Sequence, residues 1–123
     1  MILVDTSVWV EHLRAGVAAL AAALEQGIVL THPFVLGELA CGNLKNRSEV
    51  LRLLADLPRA PIATDAEALN FIEKRTLMGR GIGYIDVHLL ASVVLVGTAR
   101  LWTRDKRLAA VAENLKLARP DEA

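Results

Sequence analysis

Apolar residues along this chain fall into short runs that switch between continuous and helical spacing. Ile2-Leu3-Val4 is an apolar triplet too short for a helix and predicts a strand. Val17, Leu20, Ala21 and Leu24 keep helical spacing up to Gly27, and Ile28-Val29-Leu30 predicts a second strand. Pro33 suits the first position of a helix whose apolar run continues to Leu44. Val50, Leu53, Leu54 and Leu57 mark a further helix stopped by Pro58. Thr64-Asp65-Ala66-Glu67 has capping-box spacing and opens a helix running to about Met78. Residues 79–83, with three glycines, are a loop. Residues 87–96 are apolar nearly all round and predict a buried helix. Residues 100–103 read as a strand, Leu108, Val111, Ala112 and Leu115 as a helix, and residues 115–118 as a short last strand.

Strands alternating with helices are the pattern of a parallel sheet covered on both faces. The expected fold is therefore α/β: a three-layer αβα arrangement with a central, mostly parallel sheet flanked by helices. With 123 residues and no repeat, low-complexity tract or linker, residues 1–123 read as one domain.

Composition narrows the setting. Hydrophobic residues make up 54%, which suits a large core with several buried helices. The longest uncharged stretch in the C-terminal half, residues 87–99, falls short of the ~20 apolar residues of a membrane span. No basic stretch leads into an apolar one at the start, so the chain reads as cytoplasmic with no membrane partner. The single cysteine, Cys41, excludes an intrachain disulfide and a multi-thiolate zinc site. Beside Leu39, Ala40 and Leu44 it is expected to be packed and inert.

Net charge is zero, with 14 basic and 14 acidic residues, so the whole surface is not a nucleic-acid magnet. Distribution matters more. Arg104, Lys106 and Arg107 flank Asp105, Arg80 precedes Asp86, and Lys45 and Arg47 follow Glu38. Such clusters are usually solvated helix ends, but acids that converge would gather these bases into a phosphate-attracting rim.

Four acids stand in apolar surroundings: Asp5 after the first strand, Glu38 in PFVLGELACG, Asp86 in GYIDVHLLAS and Asp105 in ARLWTRD. Charges beside core elements need partners, and four of one sign suggest a shared counter-charge such as a divalent cation. Ligands in parallel sheets bind beyond the carboxyl ends of the strands. Asp5 and Asp105 follow strands directly, Asp86 enters its helix from a glycine loop, and Glu38 is long enough to reach inward. A simpler reading makes Asp5, Asp86 and Asp105 helix caps, each worth about 1 kcal/mol. Capping explains neither Glu38 nor the hydroxyls Thr6, Ser7 and Thr103 beside two of the acids.

Other residues offer less. His88 has no second histidine at helical or hairpin spacing and reads as a hydrogen-bonded core residue, and His12 and His32 read as isolated. Trp9 and Trp102 read as core. The glycines at 79, 81 and 83 lack the lysine and hydroxyl of a phosphate loop.

The segments MILVDTSVWVEHL, VLGELACG, GIGYIDVHLLAS and LWTRDKRL resemble the four motifs of PIN-domain nucleases. The first and third particularly resemble VapC-type toxins of toxin–antitoxin modules. The resemblance implies that Asp5, Glu38, Asp86 and Asp105 form the acidic quartet around Mg²⁺ or Mn²⁺. It implies that Thr103 is the hydroxyl before the last acid, and Thr6 or Ser7 the polar pair after the first. It further implies a metal-dependent endoribonuclease toxin with an RNA substrate, a cognate antitoxin and a homodimeric state. Two other classes share some features. A phosphoacceptor receiver domain has this length and architecture, but it would want paired acids near the first strand and a late lysine. A non-catalytic binding module would not need all four acids.

Overall fold

The computed structural model describes residues 1–120. β1 (Ile2–Val4) is the centre of a parallel sheet, with β2 (Val29–Leu30) on one side and β3 (Arg100–Trp102) on the other. Leu3 pairs with Leu30 and Leu101, which fixes the register of all three strands. Leu3 and Val4 point to opposite faces and both are fully buried, so helices cover the sheet on two sides in a three-layer α/β fold. Two single bridges extend it, Thr31 with Arg59 and Leu101 with Ala118. The last strand expected over residues 115–118 is thus reduced to one bridge. Leu101 donates to Leu117 and accepts from Arg119, and the pairing stops there.

Seven helices connect and cover the strands among the described residues: α1 (Thr6–Ala15), α2 (Ala18–Glu25), α3 (Pro33–Ala40), α4 (Arg47–Ala55), α5 (Asp65–Arg75), α6 (Tyr84–Val96) and α7 (Lys106–Asn114). None is long and apolar enough to cross a membrane. α3 ends four residues short of the apolar run that suggested it. Arg47, at the start of α4, turns its guanidinium onto the Ala40 carbonyl at 2.7 and 3.1 Å, and Asn46 takes a left-handed φ of 54°. These contacts close the end of α3, and Cys41 emerges exposed rather than packed. α5 begins on the expected capping box, with Thr64 and Glu67 bonding reciprocally at 3.1 and 2.9 Å. It ends before Met78 because Thr76 turns left-handed and the Leu77 N–H returns to the Ile72 carbonyl.

α6 is the buried helix, with every residue from Val87 to Val93 in the core. Burial does not extend to its end, since Val94 and Leu95 face outward. His88 is buried, but neither ring nitrogen finds a hydrogen-bond partner among the described residues. Phe34 and Tyr84 meet it edge-on, with ring centroids at 5.0 and 4.6 Å. His32 is not isolated either: its ring lies 5.0 Å from the same Phe34, and its Nδ1 accepts the Phe34 N–H at the start of α3. Trp9 is core as expected, whereas Trp102 is half-buried beneath the Arg119 guanidinium at 4.1 Å.

Burial, reinforced by His88, pushes the His32 pKa from 6.5 down to about 4. Between these values the unfolded chain binds a proton that the folded chain refuses, so stability rises with pH over this window. The effect is complete above pH 6.5 and is worth about 3 kcal/mol at most. Urea melts from pH 7.5 to 4.5 should therefore show wild type losing stability on acidification. His32→Asn, which can still accept the Phe34 N–H, should lose clearly less; parallel pH slopes would contradict the assignment.

Candidate active site

Asp5 is the first residue beyond the central strand, where its N–H still bonds the Trp102 carbonyl at 2.9 Å. This tie holds the carboxylate at the carboxyl edge of the sheet with only 7% of the residue exposed. It begins α1 without capping it through its side chain. Its Oδ2 instead accepts from Thr103 Oγ1 at 2.7 Å and Ser7 Oγ at 2.9 Å. Each hydroxyl has one proton, and both protons are directed at Asp5, so the 3.3 Å contact between the two hydroxyls is left without one. The spare lone pairs are used: Ser7 Oγ accepts the Arg104 N–H at 3.0 Å, and Thr103 Oγ1 accepts the Asp105 N–H at 3.1 Å. One pair of hydroxyls thereby joins β1, α1 and the loop leading to α7.

The other acids arrive from three further elements. Glu38, on the outer side of α3, reaches Thr6 at the start of α1, whose hydroxyl donates to Oε1 at 2.7 Å. Asp86 is not an N-cap. It is the third residue of α6, and its Oδ2 accepts the N–H of Gly83 at 3.0 Å, back at the cap position. The Gly83–Asp86 spacing is that of a cap pair, so this contact was open to reading from sequence. Asp105 is a true N-cap of α7, with Oδ1 accepting from Arg107 and Leu108 at 2.9 and 3.0 Å. Capping and site membership are therefore compatible for Asp105, and capping through the side chain is excluded for Asp5.

Every one of these four carboxylates is held through a single oxygen. The second oxygen of each has no hydrogen bond among the described residues, and no lysine, arginine or histidine lies within 4.0 Å of any of them. The pKa of Asp86 is raised, first by burial, against the Gly83 N–H that lowers it, and further by Asp5, Asp105 and Glu38. The three other acids are thus near enough for Asp86 to feel their charge, and no cation offsets them. Hard carboxylate oxygens of this kind suit Mg²⁺ or Mn²⁺. As the side chains stand, no three carboxylate, imidazole or thiolate groups among the described residues are placed to hold one ion. Glu38 and Asp105 are exposed, Asp86 is half-buried and Asp5 is buried.

Residues 2–114 match the family model of the PIN domain. The chain belongs to the PIN-domain family. It is similar to the protein named Ribonuclease VapC32 in two strains of Mycobacterium tuberculosis, at 52% identity over 122 residues, covering 99% of this chain and 98% of the relative.

The paired hydroxyls give a direct test of how Asp5 is held. Thr103→Val keeps the side-chain shape, removes one donor from a buried carboxylate and orphans the Asp105 N–H, and should cost about 1–3 kcal/mol. Thr103→Ser should stay near wild type. Denaturant melts compare the three proteins, and equal stability of the valine variant would show that Ser7 alone suffices.

Proposed function

We propose that this chain, acting as one domain over residues 1–123, is a metal-dependent endoribonuclease that hydrolyses RNA phosphodiester bonds. The observation carrying the reading is the set of four carboxylates, each with one oxygen tied down and one free of hydrogen bonds, and none ion-paired to a basic side chain among the described residues. Family membership and the name of the M. tuberculosis relatives support it. Asp5, Asp86, Asp105 and Glu38 would hold Mg²⁺ or Mn²⁺. Such an ion, when bound, neutralises phosphate oxygens and acidifies water.

The chain's own residues set the conditions for that chemistry. Ser7 and Thr103 fix the orientation of Asp5, so its free oxygen is presented at the edge of the sheet in one direction. The Gly83 N–H does the same for Asp86, and the first turn of α7 for Asp105. Glu38, held by Thr6 on the exposed side, would orient a water molecule or contribute an oxygen. Hydrolysis by water leaves the substrate 2′-OH unused, so the products carry 5′-phosphate and 3′-OH ends. Within the toxin–antitoxin reading, cleavage of RNA blocks translation and growth, and a cognate antitoxin protein neutralises a homodimeric toxin.

Purified protein should cleave RNA only with Mg²⁺ or Mn²⁺, and Asp5→Asn, Asp86→Asn and Asp105→Asn should each lose about 100-fold or more. Full activity in chelator, or 2′,3′-cyclic phosphate ends by mass spectrometry, would overturn the mechanism. Expression in a host should arrest growth for wild type and not for Asp86→Asn at equal protein level. Harmless wild type would count against the toxin role and leave the nuclease chemistry standing.

The electrostatics predict a separate signature in stability. Asp5, Asp105 and Glu38 each raise the pKa of Asp86, after burial, so its charge is repelled by the other three. Asp86→Asn removes one charge while its amide oxygen can still accept the Gly83 N–H, so the metal-free variant should melt higher than wild type. Wild type should gain about 2–3 kcal/mol at a Mg²⁺ concentration 100 times its Kd, and the variant less. Thermal melts with and without Mg²⁺ decide; equal responses would mean the acids do not share an ion.

A further inference from the structure

The loop that leads to Asp86 has Arg107 lying across it. A Cβ built on Gly81 would stand 2.8 Å from Arg107 Cδ, 3.1 Å from Nη1 and 3.4 Å from Nε. The end of the arginine side chain therefore rests on the bare glycine backbone, in space that even alanine would take. Gly81 also has φ +81°, a conformation that glycine adopts freely. At the other end, the Arg107 N–H is bonded to Asp105 Oδ1 at 2.9 Å. Arg107 thus spans two acid-bearing segments, the start of α7 with Asp105 and the loop running into Asp86.

Its guanidinium is held there without a partner. Among the described residues Arg107 has no ion pair and no side-chain hydrogen bond. Several other arginines are engaged: Arg104 with Glu11 at 3.0 Å, Arg119 over Trp102 at 4.1 Å, Arg75 over Phe71 at 5.3 Å, and Arg47 and Arg100 on backbone carbonyls. Arg107 is exposed, yet its Cδ, Nε and Nη1 lie against the Gly81 backbone, so its planar fork is positioned without having gained an acceptor. A phosphodiester supplies that acceptor, since its two non-bridging oxygens match the fork. It also meets a need of the site, because four carboxylates repel a polyanion from the place where it must lie.

We propose that Arg107, seated on Gly81, is a substrate-binding residue that grips a backbone phosphate of the RNA strand next to the acidic cluster. The inference rests on the ribonuclease reading above and adds to it a named contact with the strand. Lys106 and Arg80 contribute general attraction; Arg107 fixes a position.

The test is anisotropy of a labelled single-stranded RNA oligonucleotide bound to protein carrying Asp86→Asn, which keeps the strand intact. Arg107→Gln should weaken binding about 10-fold and reduce the slope of log affinity against log salt by about 0.7. Arg107→Lys should recover the slope and only part of the affinity, because the charge returns without the fork. Gly81→Ala should weaken binding when Arg107 is present and add nothing in Arg107→Gln. That cycle removes the backbone strain common to both backgrounds. Unchanged affinity and salt slope in Arg107→Gln, or an equal Gly81→Ala effect in both backgrounds, would overturn the proposal. Wild-type cleavage is followed in parallel. RNA that is bound through Arg107 but never cut counts against the ribonuclease reading alone, whereas cutting with an unchanged salt slope counts against this contact alone.

Discussion

Asp5 must keep a charge at the edge of the central strand while almost withdrawn from water. Its Oδ2 lies toward the protein, and there the surrounding structure brings donors to it. It does so from opposite ends of the chain: Ser7 is two residues away, and Thr103 is 98 residues away. Thr103 reaches the carboxylate only because β1 and β3 pair in register, with Val4 opposite Trp102. A slip of one residue would turn the side-chain faces over and separate the hydroxyl from the acid. The order of the sheet and the state of Asp5 are therefore one constraint seen from two sides.

The same constraint explains how four acids come together without unfolding the protein. Each is attached to a different element, and each attachment also stabilises that element or its junction. Asp105 caps α7, Asp86 takes up a free N–H at the start of α6, and Glu38 joins α3 to the first residue of α1 through Thr6. These bonds offset part of the repulsion among the carboxylates. Part remains, and it shows in the raised pKa of Asp86, where burial and the three neighbouring charges outweigh the Gly83 N–H.

How far this arrangement could be read from sequence depended on the range of each interaction. β1, β3, the Thr64–Glu67 box and the buried run of α6 rest on local pattern, and the chain shows them openly. The acids were legible because a charge beside an apolar run is conspicuous wherever it folds. The end of α3 was not, since Arg47 closes it from beyond the turn and no period in the apolar run marks that contact. His32 and His88 looked isolated because 56 positions separate them in the chain. It is Phe34, standing 5.0 Å from each ring, that brings them into one buried cluster. Cys41 was misjudged for the same reason as α3: apolar neighbours in sequence do not bury a residue that lies past the end of its helix.

Zero net charge is compatible with a polyanionic substrate once the bases are sorted by what they touch. Arg104, Arg119, Arg75, Arg47 and Arg100 are spent on a carboxylate, two aromatic rings and two carbonyls, and these contacts stabilise the fold. Only Arg104 has its charge offset by a carboxylate; the other four keep theirs, but their guanidinium groups are already oriented onto rings and carbonyls. The field that a strand meets is set by the charges left unpaired near the cluster, and screening confines it to about 10 Å at 0.1 M salt. Within that distance, position counts for more than total charge. A single arginine held against Gly81, between the segments that carry Asp86 and Asp105, can then matter more to a passing phosphate than the balance of the other charges over the surface.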